Sequence, residues 1–142
     1  GIDISNHALK VCKINAYELG VKNRLRLFKS DIDKFSKGKY DLIISNPPYI
    51  KKLDLQYLEK DVINFEPKLA LDGGLDGISE IRKTIKKSSE LIKKGGKLII
   101  EIAFNQKEEV KQLLRKNSFY INSVTKDLAN KDRCIISTKI EK

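Results

Sequence analysis

Tyr40-Asp41-Leu42-Ile43-Ile44-Ser45-Asn46-Pro47-Pro48-Tyr49-Ile50 is the stretch on which the reading of this chain turns. A short β-branched run closed by two prolines predicts a buried strand ending abruptly in a rigid turn. Pro47 pushes Asn46 away from the helical region, and neither proline has an N–H to give. The turn therefore presents the Asn46 carboxamide, two bare carbonyls and the Tyr49 ring as one fixed cluster. Such a cluster suits a planar –NH2 group: the Asn46 oxygen and the Pro47 carbonyl accept its two hydrogens, while Tyr49 stacks on its face. With both hydrogens held, the nitrogen lone pair points at whatever electrophile lies opposite. An ordinary Asn-Pro turn with a packed tyrosine accounts for the dipeptide by itself. All four residues directly after a strand point instead to an amino-group clamp.

Upstream, Ile2–Ile4 reads as the end of a strand, and Ser5 or Asn6 can cap the helix that follows. Leu9, Cys12, Ala16 and Leu19 recur at three- and four-residue spacing, forming one apolar stripe that Gly20 stops. Leu25–Phe28 is a second short strand, ending at Ser30-Asp31. Strand, helix, strand, loop, strand is the order of a parallel sheet with crossover connections. Ligands in such sheets bind beyond the carboxyl ends of the strands, where Asp3, Asp31 and Asn46 are all expected. An acid at the end of the strand before a helix commonly holds ribose hydroxyls, although a capping Asp3 is an equal reading.

Downstream, residues 51–75 are the least regular stretch, with a short helix expected around Leu55–Leu58 and a dense run of glycines from Gly73 to Gly77. Ile78, Ile81, Ile85 and Ile92 mark an amphipathic helix closed by Gly95-Gly96, and Leu98–Ile102 is the most strand-like run. A helix over 106–116, with Val110, Leu113 and Leu114 inward, precedes a final strand pair, Phe119–Val124 and Cys134–Ile140. No repeat, linker or domain boundary is visible, so residues 1–142 read as one domain.

Composition narrows the classes. No apolar run is long enough for a membrane span. His7 is the only histidine, which leaves metal sites and histidine-based catalysis little to work with. Cys12 and Cys134 lack metal-like spacing and read as reduced core thiols of a cytoplasmic protein. The net charge of +10 invites a nucleic-acid partner, but the basic residues are 24 Lys to 5 Arg, scattered among isoleucines. Base and phosphate recognition favours Arg forks interleaved with aromatics. The charge therefore suits steering to an acidic or ribosome-associated partner without requiring nucleic acid.

Several segments together resemble the HemK-type protein-(glutamine-N5) methyltransferases, which modify peptide chain release factors. They are Asp3-Ile4-Ser5 with Ala8-Leu9, Asn15-Ala16, Ser30-Asp31, Ser45–Ile50, Phe65-Glu66-Pro67, Ala70–Gly77, Glu101 with Gln106, and Asp127-Leu128 with Asp132-Arg133. The Asn-Pro-Pro-Tyr tetrapeptide is shared with adenine-N6 and some guanine-N2 methyltransferases. The Glu-Pro and Gly-Gly-Leu-Asp-Gly segments are more specific to the glutamine enzymes. The resemblance implies a Rossmann-like class I α/β fold, a mostly parallel sheet with an antiparallel C-terminal strand pair, that binds S-adenosylmethionine.

By that resemblance Asp3 would hold the ribose, Asp31 and Ile32 would border the adenine, and Asn46 would lie near the cofactor. Asn46, Pro47, Pro48 and Tyr49 would hold the substrate amide of a release factor, in a monomeric enzyme. Two positions depart from the family: Ile32 stands where many members have an aromatic residue, and Ala103 replaces a glycine. The family's first strand, its glycine-rich loop and its N-terminal helical domain have no counterpart, and the chain contains no methionine. The expectation is an N-terminally truncated part of a catalytic domain, inactive by itself. The competing readings are a nucleic-acid amino-methyltransferase and a non-catalytic basic binding module.

Overall fold

The computed structural model describes residues 1–58, 61 and 67–141. They form two compact units, Gly1–Ser36 and Lys37–Lys142. In the first unit, β1 (Ile2–Asp3) and β2 (Phe28–Lys29) pair in parallel, with Ile2 opposite Phe28 and Asp3 opposite Lys29. The crossover between them is α1 (Asn6–Glu18), which Ser5 caps by accepting the Ala8 N–H at 3.2 Å. Ala16 and Phe35 form the small core, and the Phe28 and Phe35 rings meet at a centroid distance of 5.6 Å.

Two expectations change here. The second strand falls at Phe28–Lys29 rather than Leu25–Phe28, because pairing with β1 sets its extent. The α1 stripe is also mostly uncovered: Ala16 is buried, Leu9 half-buried, and Cys12 and Leu19 are exposed. A parallel pair only two residues long cannot cover one face of a 13-residue helix. Cys12 is therefore an exposed free thiol, not a core residue, while Cys134 is half-buried.

The second unit carries a four-stranded sheet in the order β3-β4-β6-β5, from β3 (Tyr40–Ser45), β4 (Ile92–Glu101), β5 (Phe119–Lys126) and β6 (Asp132–Lys139). β3 and β4 are parallel, and β6 runs antiparallel to both β4 and β5. The helices α2 (Ser79–Leu91) and α3 (Lys107–Lys116) belong to the same unit. Its core joins Ile81 and Ile85 of α2, Leu98 and Ile100 of β4, Val110 and Leu114 of α3, and Phe119 and Ile135. Burial of alternate residues along β4 and of one stripe on each helix follows the two periodicities of strand and helix.

The helix expected to run to Gly95-Gly96 stops at Leu91, and strand begins at Ile92. Pairing with β3 is irregular there, jumping from Tyr40–Ile92 to Leu42–Lys97, before a regular ladder runs to Ser45–Ile100. The expected buried strand at 40–45 is only half covered, since Leu42 and Ile44 are 46% and 70% exposed. β3 is an edge of this sheet, so only one of its long sides is paired among the described residues. No helix among the described residues is long and apolar enough to cross a membrane.

Candidate active site

The parallel strands of the first unit deliver two acids to one edge. Asp3 ends β1, and its Oδ1 accepts the Ser5 N–H at 2.7 Å, tying the strand end to the cap of α1. This fills one carboxylate oxygen and leaves the other without a partner among the described residues. Asp31 follows β2 at the same end, and its side chain makes no cap bond to the short helical turn Ile32–Lys34. The Ser30 N–H bonds the Asp3 carbonyl at 3.1 Å, so the two strand ends are joined directly. Ile32 is half-buried beside them in sequence.

In the second unit β3 ends at Ser45, and Asn46 stands exposed beyond its carboxyl end while Pro47 is buried. The turn leads into a short parallel ladder with the Leu71–Gly77 segment, a glycine-rich loop separate from the family's cofactor loop. The Ile50 N–H bonds the Leu71 carbonyl at 3.1 Å, the Gly73 N–H bonds the Ile50 carbonyl at 2.8 Å, and the Lys52 N–H bonds the Gly74 carbonyl at 2.9 Å. Only glycine fits at 73, where an added Cβ would lie 2.8 Å from Tyr49 Cα and 2.7 Å from the Gly77 oxygen. Gly77 has a φ of +75°, a conformation that side chains disfavour. Pro67 precedes the helical turn Lys68–Leu71 that leads into the loop, whereas Phe65 and Glu66 lie outside the described residues.

Tyr49 is anchored at both ends. Its hydroxyl donates to Glu101 Oε1 at 3.0 Å, and its backbone carbonyl accepts from Gln106 Nε2 at 3.0 Å. Burial, then the neighbouring Glu101 carboxylate, pushes the Tyr49 hydroxyl above its ordinary pKa, so it remains a donor at neutral pH. Arg133 approaches this pair and is itself held by Asp127, at 3.0 Å from Nη2 and 3.2 Å from Nε. Asp127 lies below the usual carboxylate range because it accepts the Lys131 backbone N–H and then the Arg133 guanidinium. A cavity of about 510 Å³ opens here, lined by Tyr49, Lys51, Asp54, Phe104, Gln106 and Arg133 among others.

Asp76 organises the start of α2. Its Oδ1 accepts the Ile78 N–H at 2.9 Å and its Oδ2 accepts from Arg82 at 3.0 Å. These bonds, the backbone one first, lower its pKa from 3.8 to about 2. A carboxyl whose folded pKa is depressed stabilises the fold above its unfolded pKa, and that contribution is lost as pH falls through the folded value. Thermal unfolding of Asp76→Asn should therefore show its deficit at pH above about 4 and converge with the unsubstituted protein towards pH 2. Because Asp76 and Arg82 are 46% and 49% exposed, solvent screening limits the deficit to about 1 kcal/mol.

The structure thus groups Asp3 with Asp31 in one unit, and Asn46, Pro47, Pro48 and Tyr49 with the glycine-rich loop in the other. Sequence reasoning named no role for Glu101, Gln106 or Arg133. Glu101 was within reach of the strand-end rule, since it closes the strand beside β3.

The fold matches solved methyltransferases. The chain overlays a ribosomal protein L11 methylase from Lactobacillus delbrueckii subsp. bulgaricus with a TM-score of 0.70, at 18% identity, covering 99% of this chain and 56% of that one. It overlays an S-adenosylmethionine-dependent methyltransferase from Clostridium acetobutylicum with a TM-score of 0.65, at 12% identity, covering 99% and 74%. Identities this low show the fold alone, the α/β fold that those two proteins share.

Sequence carries the assignment further. The profile of the methyltransferase-domain family matches residues 1–140, and the chain belongs to that family. It is 38% identical over 142 residues to a release factor glutamine methyltransferase from Buchnera aphidicola, covering all of this chain and 50% of that protein. The chain thus spans about half the length of that curated relative.

Proposed function

We propose that this chain is the catalytic part of an enzyme that uses S-adenosylmethionine to methylate the N5 side-chain amide of a glutamine in a peptide chain release factor. The observation that carries the reading is the Asn46–Tyr49 turn, which leaves the Asn46 carboxamide exposed at a strand end while backbone ladder and side chains fix the rest. Family membership supports methyl transfer, and the name of the Buchnera relative supports the acceptor.

The acids of the first unit fit the cofactor. Among the described residues the Asp3 carboxylate has an oxygen to spare for hydroxyl donors, and the Asp31 side chain makes no cap bond at the same strand edge. Asp3 would hold the ribose, and Asp31 with Ile32 would border the base. When bound, S-adenosylmethionine supplies a methyl group on a positively charged sulfur, open to displacement by a nitrogen lone pair.

The chain's own part is orientation. A primary amide nitrogen is a poor nucleophile because its lone pair is delocalised into the carbonyl. Asn46 Oδ1 and the Pro47 carbonyl, as acceptors for the two N–H hydrogens, would fix the amide plane and so aim the lone pair, which stands perpendicular to it, at the methyl group. Fixing the nitrogen at attack distance supplies the entropic part of the acceleration. The same acceptors would stabilise the positive charge that develops on nitrogen as its bond to the methyl carbon forms and the carbon–sulfur bond breaks, after which one N–H proton is lost to solvent. Tyr49, tied to Glu101, keeps its ring in place against the amide.

Incubating the full-length protein with methyl-labelled cofactor and, in parallel, a release factor, ribosomal RNA and DNA separates the acceptors. Label is expected in the release factor. Label confined to nucleic acid would replace this reading with that of a base amino-methyltransferase.

A further inference from the structure

Gln106 occupies the N-cap position of α3, where Ser, Thr, Asp or Asn is favoured, and its side chain makes no cap bond. The carboxamide turns inward instead, and the residue is 7% exposed. Oε1 accepts the Ala103 N–H at 3.0 Å, and Nε2 donates to the Tyr49 carbonyl and to the Gly77 carbonyl, each at 3.0 Å. Both N–H hydrogens and the oxygen are thus committed, each to a different loop: the segment after β4, the turn after β3 and the glycine-rich loop. A carboxylate could not donate to the two carbonyls, an ammonium could not accept from Ala103, and Asn is one methylene shorter. The residue type follows from the bridge and not from helix capping.

We infer that Gln106 is a positioning residue, whose carboxamide sets the turn carrying Asn46, Pro47 and Tyr49 against the Gly73–Gly77 loop; the catalytic half of this claim rests on the proposed function of the turn. Gln106 lies behind the clamp, bonded to the Tyr49 backbone. Its removal leaves every clamp side chain in place but loosens the frame that aims them. A displacement of about 1 Å at a reacting centre can lower a rate by roughly a hundredfold. Cofactor binding, which is assigned to Asp3 and Asp31, is spared.

The test uses Gln106→Leu and Gln106→Glu in the full-length protein, with one readout that needs no substrate. Amide hydrogen exchange at Ile50 and Gly73, whose N–H groups form the ladder between the two loops, should quicken about tenfold or more in Gln106→Leu, while Leu98 and Ile100 in β4 stay protected. The kcat per cofactor-binding site should fall about 10- to 30-fold, with the cofactor Kd unchanged. In Gln106→Glu the defect should deepen as pH rises from about 5 to about 8, because burial beside two carbonyls raises the pKa of the acid and only its protonated form can donate to them. That pH response keeps the claim testable if the Leu variant folds poorly.

Unchanged exchange at Ile50 and Gly73 would overturn the inference, as would unchanged kcat per cofactor-binding site. Should the unsubstituted enzyme fail to methylate any amide, the proposed function falls, and the exchange result alone decides whether Gln106 frames the turn.

Discussion

Asn46→Ala in the full-length protein is expected to slow methyl transfer about a hundredfold, the effect of removing one preorganised transition-state hydrogen bond. Asn46 is exposed, and its carboxamide has no hydrogen-bond partner among the described residues. The fold should therefore barely register the change, with stability within about 0.5 kcal/mol of the unsubstituted protein. A large kinetic loss without a stability loss separates a clamp from a turn residue that only shapes the backbone. Single-turnover transfer and urea unfolding on the same preparation measure the two quantities together. Near-normal transfer would remove Asn46 from the chemistry.

Gly73→Ala should do damage of similar size through packing. Its new Cβ would lie 2.7 Å from the Gly77 oxygen, 2.8 Å from Tyr49 Cα and 2.9 Å from the Tyr49 carbonyl carbon. All three are backbone atoms, so no side chain can rotate away and the two loops must part. Overpacking of this kind costs about 1–3 kcal/mol of stability. Because the displaced atoms include Tyr49, turnover should also fall by the order of a hundredfold in the molecules that remain folded. Unfolding in urea gives the first effect, and kcat per cofactor-binding site gives the second. A variant as stable and as active as the unsubstituted protein would mean that these loops are not packed against each other.

These two residues differ in how far the sequence revealed them. Asn46 was legible because its setting is local: a β-branched run, two prolines and a tyrosine are contiguous, and proline chemistry dictates the turn. Gly73 was visible as part of a glycine cluster, but the Tyr49 backbone that excludes a side chain there lies 24 positions earlier. The core helices were equally local, since Ile81 and Ile85, or Val110 and Leu114, declare their faces by spacing alone.

Long-range bonds were hidden. Gln106 reaches partners 57 and 29 residues away, and Glu101 meets Tyr49 across 52. Nothing in a linear pattern marks which carbonyl a carboxamide will find. The α1 stripe shows the opposite limit: periodicity identifies an apolar face without showing what covers it, and Cys12 and Leu19 are exposed. Strand ends shifted for a related reason. Phe28–Lys29 is strand because β1 pairs there, while Leu25–Leu27, equally suited by propensity, has no partner strand among the described residues.

In the proposed mechanism Asn46 and Pro47 hold both hydrogens of a primary amide. A crystal structure of the full-length protein with the demethylated cofactor and a glutamine-bearing release-factor peptide tests it most directly. The glutamine amide nitrogen is expected at about 2.7–3.2 Å from both Asn46 Oδ1 and the Pro47 carbonyl oxygen, with the Tyr49 ring against the amide plane. A glutamine amide bound elsewhere, or one whose nitrogen faces neither oxygen, would contradict it.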